Sequence, residues 1–389
     1  MKSWCLLAAA VAWGACGGSS SDDKAGGMAM TGGMAGSAVN SSGGSIGIGG
    51  STNAAQDGPA AGNPAGKCAV PSEAALENVS NPRTVVGDGT PQSCTSEAFV
   101  NAVAKGGVIT FSCGPEPKTI VLDRTAKIVN DTGPKIVIDG GSKITLSGGG
   151  KVRILYQNTC DPAQKYTTDH CQDQDSPQLT LQNLTFIDGN AKGQQPEPSG
   201  GAVFVRGGRL KILNSRFFRN ICIDAAPDLG GGAVRVQSQF QGKPAYFVNS
   251  TFGGEDKAGN KLGNVCSNGG GISGLGVSFT VINSAFSHNQ AIGMEPPPSG
   301  NLGGGNGGAI YNDGNEFTLS LCGVAIHDNS ANEGGGAIFF VSNNSTGSLI
   351  IKDSVLTGNP NKGFDTEGYP GIFVKAKGAP QVSGSTITK

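Results

Sequence analysis

Short apolar runs with period-two alternation dominate the chain, as in Ala202-Val203-Phe204-Val205 and Leu210-Lys211-Ile212-Leu213, each bounded by Gly, Asn or Pro. Runs of that length and period make strands and are too short for helices. They also restart. A segment of Asn-Ser-x-Phe type closes at Phe186, Phe217, Phe252 and Phe286, and its last position continues as Ile326, Leu356 and Ile387. Between these, a Gly-Gly-Ala motif recurs at Ala202, Ala233, Ala309 and Ala337, with weaker copies at Gly271-Ile272 and Gly371-Ile372. Two linked motifs returning roughly every 30 to 40 residues define a solenoid of stacked coils, with the unequal spacing absorbed in loops.

Strands stacked in order lie about 4.8 Å apart, so equivalent residues form columns. The Phe column is expected inside the coil. Asn183, Asn214, Asn249 and Asn283 would form a ladder of side-chain amides at a turn. A second series, Asn220, Asn289, Asn329 and Asn359, follows the closing apolar residue, and both series read as structural. Cys322-Gly323 stands where Asn-Ser is expected, which breaks the first ladder. Upstream, Val108–Phe111, Thr119–Leu122, Lys135–Ile138, Lys143–Leu146 and Val152–Leu155 add strands without the repeat. Before them, residues 96–105 place Ala98, Phe99, Ala102 and Val103 on one helical face, with Gly106-Gly107 as the stop. A short helix there would plug the first coil, whose unpaired strand edges would otherwise invite aggregation.

Phe217-Phe218-Arg219-Asn220, Phe286-Ser287-His288-Asn289, Ile326-His327-Asp328-Asn329 and Gly308-Ala309-Ile310 together resemble the repeat of chlamydial polymorphic outer-membrane proteins. The asparagine ladder with stacked aromatics resembles the right-handed parallel β-helix of the pectate-lyase superfold. The resemblance covers roughly residues 180 to 389. It implies an all-β, right-handed parallel β-helix solenoid over 67–389, clearest in 179–389, with a short N-terminal capping helix. As a marker of function it is weak, because one superfold hosts unrelated activities.

Composition narrows the partners more than the activity. The net charge of -1 over 389 residues excludes a nucleic-acid binder by charge. The 65 glycines have no Gly-X-Y period, so they belong to tight corners and not to collagen. Met1-Lys2-Ser3-Trp4, an apolar run from Cys5 to Ala12 and then Gly14-Ala15-Cys16 form a secretory signal over 1–16, too short to span a bilayer. Its end resembles the lipobox of bacterial lipoproteins, with Cys16 as the lipid-bearing thiol and Trp13 departing from the usual Leu. The alternative is cleavage after Ala10 or Ala15. Residues 17–66, mostly Gly, Ser, Ala, Asn and Met, cannot bury enough apolar surface to order themselves. They would form a tether reaching on the order of 40 Å. A monomer anchored by lipid at the outer membrane or cell surface is expected, and a secreted one if Cys16 is unmodified.

Eight cysteines remain after Cys16, an even count in an exported chain. Cys94 with Cys113, Cys160 with Cys171 and Cys222 with Cys266 are expected as disulfides, each contributing about 3 kcal/mol in the unfolded-state entropy model. Cys68 and Cys322 are left without support for pairing. No Cys-x-x-Cys occurs and the histidines at 170, 288 and 327 are scattered, so no structural metal is expected.

The resemblance also sets tests for chemistry. Polygalacturonase relatives carry Gly-His-Gly and Arg-Ile-Lys, which are absent here, and Asp22-Asp23 in the tether is the only Asp-Asp. Pectate lyases gather aspartates around calcium, whereas Asp188, Asp224, Asp228, Glu255, Asp256, Asp313 and Glu333 are spread among loops. No cofactor is implied, and calcium enters only if the chain is a lyase. On the Gly-Gly-Ala strands, alternation turns Val203, Val205, Val234, Val236, Ile310, Ile338 and Phe340 to one face. The other face receives Phe204, Arg206, Arg235, Tyr311, Asp313 and Phe339, a stripe on which sugar rings could stack if it is open. The favoured alternative is that long loops bury it as a secondary core. His288 and His327 are expected to cap turns. The leading expectation is a non-enzymatic surface protein contacting polysaccharide or cell-surface glycan. The rivals are a polysaccharide lyase or glycoside hydrolase, discriminated by three or more converging acids beside a cation, and a purely structural envelope protein.

Overall fold

The computed structural model describes residues 58–294 and 303–389. The signal segment, Cys16 and residues 17–57 of the expected tether lie outside the described residues. Within them the chain winds as an all-β parallel β-helix with three faces. One face stacks strands that begin at Lys135, Gln178, Arg209, Ala245, Phe279, Thr318, Ser348 and Gln381. The second runs from the later halves of Lys135–Ser147 and Gln178–Ile187 through Arg216–Phe218, Thr251–Gly253, Ala285–Ser287, Ala325–His327 and Val355–Thr357 to Thr386–Ile387. The third is an eight-stranded sheet from Ala126–Lys127 to Ile372–Lys375, carrying the Gly-Gly-Ala strands.

Register turns the repeat into columns. Phe186, Phe217, Phe252 and Phe286 pair coil to coil, are fully buried, and stack with ring centroids 4.7, 4.8 and 4.6 Å apart, continuing as Ile326, Leu356 and Ile387. That spacing is the inter-strand distance of a sheet, so backbone pairing and ring stacking reinforce each other.

Two asparagine ladders follow. The outer one sits where the first face bends into the second: Asn183, Asn214, Asn249 and Asn283 have φ between 47° and 55°, a region asparagine tolerates better than most residues. Asn249 donates to Asn214 and Asn214 to Asn183, each at 3.2 Å. The inner ladder is buried and includes a rung the spacing concealed. Asn220 donates to Asn264, Asn264 to Asn289, Asn289 to Asn329 and Asn329 to Asn359. Asn264 is displaced from its Phe because residues 254–263 are inserted before it.

The helix α1, Ser96–Lys105, buries Phe99, Ala102 and Val103 against the first coil. The Thr95 side chain accepts from the Ala98 N–H, and Gly106 at φ 66° ends it. Three of the expected upstream strands come out differently. Lys135–Ile138 and Lys143–Leu146 are one strand, Lys135–Ser147, continuous through a bulged bend. The strand expected over Val152–Leu155 starts at Leu155 and runs to Asn158, and Arg153 just before it is buried instead of facing solvent.

Residues 58–66, expected in the tether, are docked on the coils. Gly62 N–H donates to Thr251 Oγ1, Asn63 N–H to the Asn283 carbonyl and Asn63 Nδ2 to the Gly323 carbonyl. The segment then returns along one outward row of the first face, Cys322, Ile282, Val248, Leu213, Gln182 and Asp139. Cys68 bonds Cys322, Ala74 packs on Leu213, Val248 and Ile282, and Glu77 exchanges hydrogen bonds with the Gln182 amide. This strap feeds the first strand, Thr84–Val86.

Candidate functional site

The stripe on the outer side of the third sheet exists as a column, and its upper part is roofed. In register it reads Lys127, Tyr156, Phe204, Arg235, Ser273, Tyr311, Phe339 and Phe373. Phe204 (1% exposed), Arg235 (0%) and Tyr311 (3%) are buried. Arg153 lies over the Tyr156 and Phe204 rings and donates to the carbonyls of Gly200 and Ser199, which fixes the loop above. Arg235 donates to Ser273 Oγ and the Asp228 carbonyl, and its Nε lies 3.3 Å from Glu197. Burial lowers both guanidinium pKa values, that of Arg153 to about 10, and raises the Tyr311 phenol. The column is a secondary core of stacked cations and rings. Arg206, Asp313 and Phe339 remain half-buried at its rim. Asp313 accepts from Tyr311 and Asn343, and Phe339 stacks between Tyr311 and Phe373.

A different surface is open and chemically richer. Between the strap and the outer side of the first face runs a groove of about 680 Å³. Its floor carries Lys135, Arg209, Lys211 and Tyr246, its far edge Lys243, and its wall Glu73 and Glu77. Lys211 and Tyr246 share an outward row with Thr180, while Arg209 follows Lys135 and Gln178 in the neighbouring row. Glu77 bridges Lys211 and Lys135. Burial alone would raise the Glu77 carboxyl, but its hydrogen bonds to the two lysines and their charges outweigh this and hold it below the usual range. Arg209 pairs with Asp175 and lies over the Phe240 ring, whereas exposed Lys243 has no acidic partner among the described residues. The alternation that marked the third sheet also carried this signal, in Arg209-Leu210-Lys211 and Ala245-Tyr246-Phe247, on the face without Gly-Gly-Ala.

His288 and His327 meet on the second face, in a recess beside strap residues Pro59 to Pro64. His288 Nε2 lies 3.1 Å from Glu255 and His327 Nδ1 2.8 Å from Asp328. Burial holds the His288 imidazole below its ordinary value, against the opposing pull of Glu255 and Asp328.

All three expected disulfides are present, and Cys222 and Cys266 sit on adjacent coils with Cα atoms 4.8 Å apart. The fourth, Cys68 to Cys322, was not expected. Register also shifts the break in the outer ladder by one residue: Gly323 takes the Asn position and Cys322 the outward position of Leu213, Val248 and Ile282. Asp353 lies close to this disulfide, whose sulfurs are bonded to each other and offer no thiolate. Comparison of the chain with family models, with curated proteins and with solved structures finds no match.

Proposed function

We propose that this chain is an exported, surface-associated β-helix protein that holds acidic glycan in the groove beneath its strap and does not turn it over. One observation carries the reading: four cations, Lys135, Arg209, Lys211 and Lys243, line a groove of about 680 Å³ together with Tyr246, against Glu73 and Glu77 in the lining and Asp175 beside Arg209, which leaves Lys243 as the cation without an acidic partner among the described residues. An extended anionic chain suits that charge balance, and a tyrosine beside cations offers a sugar ring an apolar surface with a polar tip. A hydrolase needs a second carboxyl able to carry a proton. Glu77, hydrogen-bonded by Lys211 and Lys135, has its carboxyl held below the usual range and serves as an ion-pair anchor in place of a proton donor. The Gly-Gly-Ala and Phe-x-x-Asn resemblance supports a surface protein, and the Cys16 lipobox would supply its anchor. The test is incubation of the disulfide-intact chain with neutral and acidic polysaccharides, scoring retention and unsaturated or reducing-end products together. Retention of acidic chains, weakening with salt and without product, is expected. Sustained product formation would replace this reading with the lyase or hydrolase.

A further inference from the structure

Three histidines occur in the whole sequence, and two of them converge. His288 and His327 belong to adjacent coils whose strands Ala285–Ser287 and Ala325–His327 pair in register, Ser287 opposite His327. His288 follows its strand at φ 59° and Asp328 follows the next at φ 56°, so one left-handed turn, repeated one coil on, sets both beside the recess. Glu255 enters from the inserted loop of the coil before. The result is two imidazoles and two carboxylates around a recess of about 370 Å³, with ring centroids 6.4 Å apart at 83°.

We propose that this recess binds one divalent ion of the late first transition row, Zn²⁺ above all, through His288 and His327 with Glu255 and Asp328 completing the set. Two nitrogens and two carboxylate oxygens suit Zn²⁺ or its Cu²⁺ and Ni²⁺ neighbours and not Ca²⁺ or Mg²⁺, which take oxygen ligands. Imidazoles sharing one tetrahedral ion place their ring centroids about 5 Å apart at a metal–nitrogen distance of about 2 Å, so the two rings, now 6.4 Å apart, must close on each other by about 1 Å or more to share it. In the present arrangement each imidazole faces its own carboxylate, so the ion enters by taking the place of those two contacts. The freedom to do so is unequal. The His288 side chain is 9% exposed and acts as the fixed anchor, whereas those of His327, Glu255 and Asp328 are 43%, 48% and 56% exposed and can swing inward. The bound ion would clip the coils carrying Glu255, His288 and His327 beside the strap's docked residues 59–64.

The experiment is equilibrium dialysis and calorimetry of the chelator-stripped, disulfide-intact chain, free of any affinity tag, against ZnCl₂, CoCl₂ and CaCl₂. One Zn²⁺ per chain is expected, with visible Co²⁺ bands of a four-coordinate site and no comparable Ca²⁺ uptake. His327→Ala, and His288→Asn chosen because asparagine accepts the left-handed backbone, should each weaken Zn²⁺ by at least about ten-fold. His170→Ala should leave it unchanged. Binding that survives in the combined His288→Asn, His327→Ala chain, confirmed folded by its unchanged circular dichroism, would overturn the proposal, as would Ca²⁺ bound as tightly as Zn²⁺.

Discussion

Cys68 is joined to Cys322 across 254 residues, and the same Cys68 takes the place of the missing rung beside Asn283. Its backbone N–H donates to Asn283 Oδ1 and its carbonyl accepts from Asn283 Nδ2, each at 2.9 Å. Gly323, which replaces asparagine in the next coil, leaves the space. A Cβ there would lie 2.5 Å from Asn283 Oδ1, and one on Gly66 only 2.7 Å from the Gly323 carbonyl. The break in the ladder is the seat of the strap.

Removing this bridge by Cys68→Ala with Cys322→Ala should cost about 2 to 4 kcal/mol, read from denaturant unfolding. The strap should loosen before the coils do. Trypsin cleavage at exposed Lys67 is expected to accelerate well ahead of global unfolding, and a cleavage rate equal to that of the parent would mean the strap is held without the disulfide.

The two ladders should respond differently to truncation. Asn289 is fully buried and its side chain serves the Asn264 N–H and Nδ2, the Phe252 carbonyl and the Asn329 amide oxygen. Asn289→Ala orphans several of these at about 1 to 3 kcal/mol each, so a loss above about 3 kcal/mol is expected. Asn214 is half-buried at φ 48°, where glycine is at ease. Asn214→Gly should cost no more than about 1.5 kcal/mol. Equal losses in the two unfolding curves would contradict the division into inner and outer ladders.

Strap docking should depend on acid through Glu77. Its carboxyl titrates below the ordinary glutamate value in the fold, held there by Lys211 and Lys135 against the opposing effect of burial. A depressed folded pKa contributes stability that is complete above the unfolded value and is lost as pH falls through the folded one. The protection factors of residues 72–80, exchange rates taken relative to the intrinsic rate at each pH, should therefore fall as the solution is acidified below the usual carboxylate range, and Glu77→Gln should flatten that fall. A parent profile as flat as the variant's would remove Glu77 from the docking.

The coils were legible because the Phe column, the asparagines and the Gly-Gly-Ala strands each repeat a side chain that the stacked backbone demands. Asn264 escaped because an insertion separates it from Phe252, so spacing failed although chemistry did not. The strap escaped for another reason. Its signal lay in Ile212-Leu213, Phe247-Val248 and Val281-Ile282, where two successive apolar residues end a strand and alternation forces one of each pair outward. Leu213, Val248 and Ile282 need a cover, and Ala74 and Cys68 supply it. The groove escaped with the strap, since one wall belongs to each. The recess of His288 and His327 depends on which turns are left-handed, which short-range pattern does not record.

The closed column and the open groove make opposite predictions for two cations. Arg235 lies at 0% exposure against Glu197, itself 18% exposed. Arg235→Ala leaves a desolvated carboxylate and a cavity, so a loss of about 3 to 5 kcal/mol is expected, with glycan retention falling only as far as the fraction unfolded. Lys243 is exposed and has no acidic partner among the described residues, so Lys243→Glu should leave the melting temperature within about 1 °C, as surface changes do. It should nevertheless weaken retention of acidic polysaccharide several-fold at low salt, with the difference shrinking as ionic strength rises. Undiminished retention by Lys243→Glu would move the glycan off this groove, because reversing an unpaired charge at its edge cannot be neutral to an anionic chain lying in it.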